Sequence, residues 1–376
     1  EMVIRDWSSD VCSSDLLVNG MVLGEDGHKM SKSLGNIISP EKVIEEYSAD
    51  SFRQWAAIGG APGSDVMFRW KDVVAASRFF SKMWSIYRFS VSHFDDLDTS
   101  YVPEAEELHI VDRWLLDKLH ELITTATANM DAYQFDEAFK AIRGFAWDVV
   151  ADNYIELVKS RLYGTNATDR KAAQYALYVT IEVLAKLLAP FAPFFAEEMY
   201  SRLGTGSVHM RSWPKADASW KDEEAGKAGE LVKEIVSSVR RYKSEHGIAL
   251  NAPLKKLEIY GALTDVIDIT GATNTPVEMM AGNPDFEHVP VNIKPNMGVI
   301  GPKFKGQAKA VIDALSEANP KKLVHEMEQN GKISLHTKSG IIELGPESVE
   351  IEKEAISAGR AVDVLDVRGI PVVIIR

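Results

Sequence analysis

The chain has 376 residues, 45% hydrophobic and 26% charged, enough for two or three domains with buried cores, and it contains neither the roughly 20-residue apolar run of a membrane span nor the pattern of a signal peptide. Its formal net charge of −13 opposes a protein that coats nucleic acid by global attraction, so any polyphosphate partner must be met by local patches. A lone cysteine, Cys12, excludes an intramolecular disulfide framework and a cysteine-based zinc cluster; no metal ligand set is expected, and the cytoplasm is the expected compartment.

Residues 1–16 read as a non-native leader. Ser8-Ser9-Asp10 recurs as Ser13-Ser14-Asp15 in a stretch without helical or strand periodicity, and no role is expected for Cys12. From Leu17 an apolar strand enters the Gly24-Glu25-Asp26-Gly27 turn, the pattern of a hairpin. Ser39-Pro40-Glu41 supplies an N-cap, a proline at the first helical position and an early acid, which predicts a helix through Tyr47. Helical periodicity follows from Ala49 to Ile58 and, beyond a Pro62-Gly63-Ser64-Asp65 loop, from Val73 to His93.

Further apolar repeats of three and four predict helices at Leu108 to Met130, Phe135 to Tyr163, Lys171 to Leu188, Phe194 to Leu203 and Asp222 to Glu245, a bundle interrupted at Pro190 and Pro193. Beyond Asn251-Ala252-Pro253 the signal changes to short strands at Leu257 to Tyr260, Val277 to Met280, His288 to Ile293, Ile333 to His336, Ile341 to Leu344 and Val372 to Ile375. Helices at Gln307 to Leu315 and Pro320 to Gln329 interrupt them. The expected fold class is therefore mainly α with an α/β tail. Its segments are a leader at 1–16, a first domain's end at 17–72, a helical domain at 73–250 and a small α/β domain at 251–376.

Chemistry concentrates in Lys29-Met30-Ser31-Lys32-Ser33, where two ammonium groups and two hydroxyls lie between Gly27 and Gly35. Phosphoryl-type reactions need cations and donors placed at oxygens that gain charge, and a glycine-hinged loop with two lysines meets that need. Its glycine spacing does not match a P-loop. A second basic stretch, Leu231 to Lys256, holds Lys233, Arg240, Arg241, Lys243, Lys255 and Lys256 against Glu234 and Glu245. It reads either as a phosphate-backbone contact or as a solvated helix face.

The pentapeptide at 29–33 is the second signature of class I aminoacyl-tRNA synthetases, and DGHKMSKSLGNIISPEKVIEEYSADSFRQWAA resembles that family's passage from the signature loop into the following helices. Three further stretches are similar to the valine branch: Ala61-Pro62-Gly63-Ser64-Asp65 with Phe68-Arg69-Trp70-Lys71-Asp72, Trp147 to Glu156 ending in Lys159-Ser160-Arg161, and Pro190 to Phe194 with Glu197-Glu198. The α/β tail, with Lys294-Pro295-Asn296 and Gly301-Pro302-Lys303, resembles the archaeal type. Isoleucine enzymes and a stand-alone tRNA-binding module remain the alternatives.

The resemblance implies ATP with Mg2+ as substrate, valine and tRNA(Val) as partners, and no membrane. It implies Lys32 and Lys29 as catalytic cations, Met30, Ser31 and Ser33 at ATP, and an α-helical anticodon-binding bundle. Arg143, Lys159, Arg161, Arg240, Arg241 and Lys243 are the candidate tRNA contacts. No His-x-Gly-His signature is present. The expected organisation is a C-terminal portion that begins within the class I catalytic domain, downstream of its nucleotide-binding sheet and editing domain.

Overall fold

The computed structural model describes residues 20–60, 63–261, 266–337, 340–357 and 359–375; the expected leader, the start of the strand from Leu17 and Cys12 lie outside them. The chain packs as two compact units, Glu1–Val236 with Ile267–Ala272, and Ser237–Val266 with Thr273–Arg376. This differs from a single boundary near 251. A continuous helix from Glu223 to Glu245 crosses the division, and a later segment returns to the first unit because Asp268 is buried against Arg161 there.

In the first unit, β1 (Val22–Leu23) pairs parallel with β2 (Val66–Met67). The expected hairpin reduces to an isolated bridge between Leu23 and Lys29. The parallel pairing wins because Asp65 accepts from the Met21 N–H at 2.8 Å, Val66 N–H donates to Met21 O at 2.8 Å, and Phe68 N–H donates to Leu23 O at 2.9 Å. Two short helices follow, α1 (Pro40–Tyr47) with proline in its first turn, and α2 (Ala49–Ile58), whose Ser48 side chain accepts from the Ser51 N–H. Val43, Trp55, Phe68 and Val73 form the small core beneath them, with Met30 packed against it.

The bundle is built from α3 (Trp70–Val91), α4 (Ile110–Asp131), α5 (Phe135–Gly144), α6 (Ile155–Leu162), α7 (Ala167–Leu188), α8 (Pro193–Tyr200) and α9 (Glu223–Glu245). Gln174, early in α7, donates to His93 O just past the end of α3 at 2.6 Å, whereas Phe80 earlier in α3 packs on Phe195 at the start of α8. Thus α3 and α7 run antiparallel, each spanning roughly 33 Å at 1.5 Å per residue. The predicted helix from Phe135 to Tyr163 contains a π-helical segment, Phe145–Tyr154. Its wider turn fits the spacing of the buried residues Phe145, Val150 and Tyr154, which return after five and then four positions. At α9 the backbone approaches α4 at Gly229, where a Cβ would lie 2.3 Å from the Trp114 side chain.

A short helix, α10 (Ile267–Thr273), also sits in the first unit, up to Ala272. The second unit carries a six-stranded mixed sheet in the order β4-β3-β10-β9-β8-β5. Its strands are β3 (Lys256–Tyr260), β4 (Val277–Met280), β5 (Glu287–Pro295), β8 (Val349–Ser357), β9 (Arg360–Val367) and β10 (Ile370–Ile375). A separate hairpin pairs β6 (Ile333–Thr337) with β7 (Gly340–Leu344). Helices α11 (Met297–Phe304), α12 (Ala308–Glu317) and α13 (Pro320–Asn330) complete a core of Ile293, Ile300, Val311, Leu315, Ile333 and Leu344. Strands β8 and β9 and helices α10 and α11 were not expected from the sequence.

Candidate nucleotide and RNA interface

The loop carrying the two lysines is shaped mostly by Asn36. Its carboxamide oxygen accepts from Ser31 N–H at 2.8 Å, and its amide nitrogen donates to Lys29 O at 3.3 Å and to the Asp26 carboxylate at 3.1 Å. Asp26 also accepts from His28 N–H at 3.0 Å, the largest of the influences that hold its carboxyl below the usual range. Within the loop the Ser31 and Ser33 hydroxyls lie 3.0 Å apart, and Leu34 N–H donates to Ser31 Oγ at 3.2 Å. Gly27 and Gly35 adopt positive φ, 74° and 66°, so the loop turns at residues that tolerate the left-handed region.

This clamp leaves Lys29 and Lys32 exposed, with no ion pair to a described acid. The loop thus offers two free ammonium groups, with two hydroxyls at defined separation, the arrangement that a polyphosphate requires. The Met30 side chain is partly withdrawn from it, packed on the Val43–Trp55–Phe68 cluster as an anchor.

Behind the loop, α2 is tied to the bundle by charge. Arg53 donates through Nε to Phe191 O at 3.0 Å and through Nη2 to Pro190 O at 2.8 Å, satisfying carbonyls exposed where the prolines end α7. Asp50 accepts from Phe195 N–H at 2.7 Å at the positive end of α8. Burial is the largest influence on the Asp50 carboxyl and raises its pKa, although the Phe195 and Phe194 N–H groups and the Arg53 charge pull downward.

Of the six candidate tRNA contacts, the structure withdraws two. Arg161 is 3% exposed. It forms a bidentate pair with Asp112 at 2.7 and 2.8 Å, bonds Asp268 at 2.7 Å and donates to Asp169 O at 3.3 Å. Tyr154 Oη adds a hydrogen bond to Asp112 at 2.7 Å. With four of its five N–H donors spent inside the protein and the side chain buried, Arg161 is withdrawn from any phosphate. Lys243 is fully buried, donating to the carbonyls of Leu250, Ala252 and Thr273; burial, then the Arg240 charge, lowers its pKa. It closes a loop of the second unit.

The basic stretch containing Lys243 is correspondingly thinner than its charge count. Lys233 pairs with Glu230 and Lys256 with Glu258 and Glu278, while Arg240 is half-buried and Arg241 and Lys255 are exposed. In the bundle, Lys159 pairs with Glu156 and lies 6.0 Å from the Phe89 ring. Arg143 is half-buried with its guanidinium 5.9 Å from the Phe79 ring and has no described acid as an ion-pair partner.

Sequence reasoning missed Asn36 and Asp26, the residues that shape the loop. An asparagine beside a glycine, ten residues beyond an aspartate in a Gly-rich turn, was the available signal. It also missed Gln54 and Arg69, which with Arg143 line a pocket of about 370 Å3. Among the described residues no group of three or more histidines, cysteines or carboxylates is placed to hold a metal ion, and no helix is long and apolar enough to cross a membrane.

Residues 8–69 match the model of tRNA synthetases class I (I, L, M and V), and residues 112–259 match the anticodon-binding domain of tRNA ligase. With the signature loop ahead of a helical bundle, the chain belongs to the class I aminoacyl-tRNA synthetases. Within that class it is similar over nearly its whole length to archaeal valine–tRNA ligases: 60% identical to that of Methanosarcina barkeri and 58% to that of Methanosarcina mazei, each over 99% of this chain and 42% of the relative. The enzyme of Archaeoglobus fulgidus is 46% identical over 94% of this chain and 41% of its own length. The chain thus spans about two fifths of the curated relatives it matches, and the class I match begins inside the expected leader.

Proposed function

We propose that this chain is the part of a valine–tRNA ligase that supplies the mobile ATP loop and the anticodon-reading bundle. In the complete enzyme, valine and ATP react to valyl-adenylate and pyrophosphate, and the valyl group passes to tRNA(Val). The observation that carries the reading is the loop geometry: two exposed, acid-free lysines on a segment whose curvature is fixed by Asn36. Lys32 and Lys29 would meet the phosphate oxygens as pyrophosphate departs, and Ser31 and Ser33 would donate hydrogen bonds. Mg2+ would accompany the ATP phosphates. The cytoplasm is the compartment that fits these substrates.

The bundle contributes length. Its α2-facing end is fixed by Arg53 and Asp50, and antiparallel 22-residue helices carry its other end roughly 33 Å away. Such a spacer suits an enzyme that must reach the anticodon while acting on the acceptor end. Arg143, Lys159, Arg240 and Arg241 remain the candidate RNA contacts.

Two measurements test the reading. The chain is titrated against valine and isoleucine tRNA transcripts at low and moderate salt, with preference for the valine transcript expected; equal or absent binding removes tRNA identity from this part of the enzyme. In the complete enzyme Lys32→Ala is expected to depress pyrophosphate exchange about 10²- to 10³-fold with ATP affinity little changed, and undiminished exchange refutes the catalytic role.

A further inference from the structure

We propose that the pocket between α2, β2, the start of α3 and α5 seats a phosphodiester and ribose of the RNA backbone, with Arg69 and Arg143 as its cationic wall and Gln54 as its polar floor. This rests on the reading of the chain as a tRNA-binding one and gives that binding a place on the body of the protein, apart from the signature loop.

The pocket has a volume of about 370 Å3, and Gln54, Trp55, Met67, Arg69, Asp72 and Arg143 are among its lining residues. Its charge is the first observation. Several cations of the same unit are neutralised: Lys82 by Asp152, Arg113 by Asp222, Lys140 by Asp136 and Glu137, Arg170 by Asp96, Lys186 by Glu182. Arg69 and Arg143 have no such partner among the described residues, and both face one cavity that holds a single carboxylate, Asp72. In a chain of net charge −13, two uncommitted guanidiniums converging on a concave surface mark an anion site.

The second observation is a buried acceptor without a donor. Gln54 is 1% exposed, yet its carboxamide oxygen has no hydrogen-bond partner. A buried polar group left unpaired is costly, so a donor is owed to it. Phosphate oxygens have none to offer, but the ribose 2′-hydroxyl does, and it distinguishes RNA from DNA beside the same phosphate.

The third observation decides between backbone and base. Trp55, the aromatic side chain of the wall, is 6% exposed and stacked on Phe52 at 5.5 Å and 3°. It leaves no open ring face for a base, so the pocket takes the sugar-phosphate part and acts in positioning rather than in sequence readout.

The test measures binding of the full chain to valine tRNA, to a short RNA hairpin and to the DNA hairpin of the same sequence, across a salt series, with inorganic phosphate as competitor. Arg69→Ala and Arg143→Ala are each expected to flatten the slope of log Kd against log salt by about one phosphate contact, and Arg143→Lys to keep the slope with weaker binding. Gln54→Leu is expected to shrink the preference for RNA over DNA; far-ultraviolet circular dichroism and melting of each variant establish folding. Unchanged slopes in both alanine variants, with the wild type binding tRNA, overturn the pocket and leave the tRNA reading intact. Absence of wild-type binding to every RNA overturns both. Phosphate that binds to the Arg69–Arg143 pair without displacing RNA makes the site a free-anion site and overturns the proposal.

Discussion

Replacing Arg161 with methionine separates a structural cation from an RNA-binding one. The guanidinium is 2% exposed at its side chain and both carboxylates it bonds, Asp112 and Asp268, are fully buried. Burial is the largest influence on Arg161 and opposes its charge, but the Asp112 and Asp268 charges more than offset it and hold the group well above its usual pKa. Arg161→Met leaves two buried carboxylates without their guanidinium: Asp112 keeps the Tyr154 hydroxyl and the His109 N–H as donors, and Asp268 keeps the His109 ring at 3.3 Å. Removing one partner of a buried pair costs about 3–5 kcal/mol. At about 2–4 °C per kcal/mol for a unit of this size, the midpoint should fall by roughly 6–20 °C.

Tryptophan fluorescence reads this unit selectively, because all 8 tryptophans lie before Ser237. Arg161→Lys, which keeps the charge but not the bidentate geometry, should fall between wild type and Arg161→Met. The salt dependence of tRNA binding should not change. A stability loss under about 1 kcal/mol together with a slope flattened by one contact would return Arg161 to the RNA interface and refute the burial argument.

Lys243→Met should destabilise the second unit by about 2 kcal/mol, because the Leu250, Ala252 and Thr273 carbonyls lose a charged donor and Thr273 O retains that of Thr275 Oγ1. Faster hydrogen exchange across residues 250–275 is the readout, and normal protection there would contradict it. Asn36→Ala in the complete enzyme removes the bonds to Ser31 N and Lys29 O; a loss near 1.4 kcal/mol predicts pyrophosphate exchange reduced about tenfold. A loss equal to that of Lys32→Ala, or none, would mean that Asn36 does more or less than shape the loop.

Asp50 supplies a pH dependence. Because burial raises its folded pKa, the folded state holds the proton to higher pH than the unfolded chain. Its contribution to stability therefore falls as pH rises from the ordinary aspartate value through the raised folded value. Asp50→Asn should remove that fall, so its stability relative to wild type should grow as pH rises above the ordinary aspartate value of about 4; parallel curves would rule it out.

The helical region was legible where local chemistry coincides with packing. Ser39-Pro40 and the apolar repeats of α4 and α7 located their helices within a few residues, because cap and periodicity are properties of a short window. Strand β8 was hidden because Glu350, Glu352, Lys353 and Glu354 make it read as a polar stretch, and its pairing with β5 comes from residues about sixty positions earlier. The π-helical turn was invisible for the opposite reason: its composition is helical and only the phase of burial changes.

The same contrast governs the candidate site. A string such as Lys29 to Ser33 announces itself, whereas the fate of a single cation depends on acids remote in sequence. Arg161 finds Asp112 49 residues away and Asp268 107 away, and Lys243 finds Thr273 30 away. Counting positive charge along α9 therefore overstated the number of cations that it leaves exposed and unpaired. With 55 acidic against 42 basic residues, a lysine or arginine here can be neutralised by an acid remote in sequence, and the informative cations are those the fold leaves unneutralised on one loop or around one cavity. By that criterion the weight moves from the dense run around Arg240 to Lys29 and Lys32 on the signature loop and to Arg69 and Arg143, which no window of sequence brings together and which line one pocket.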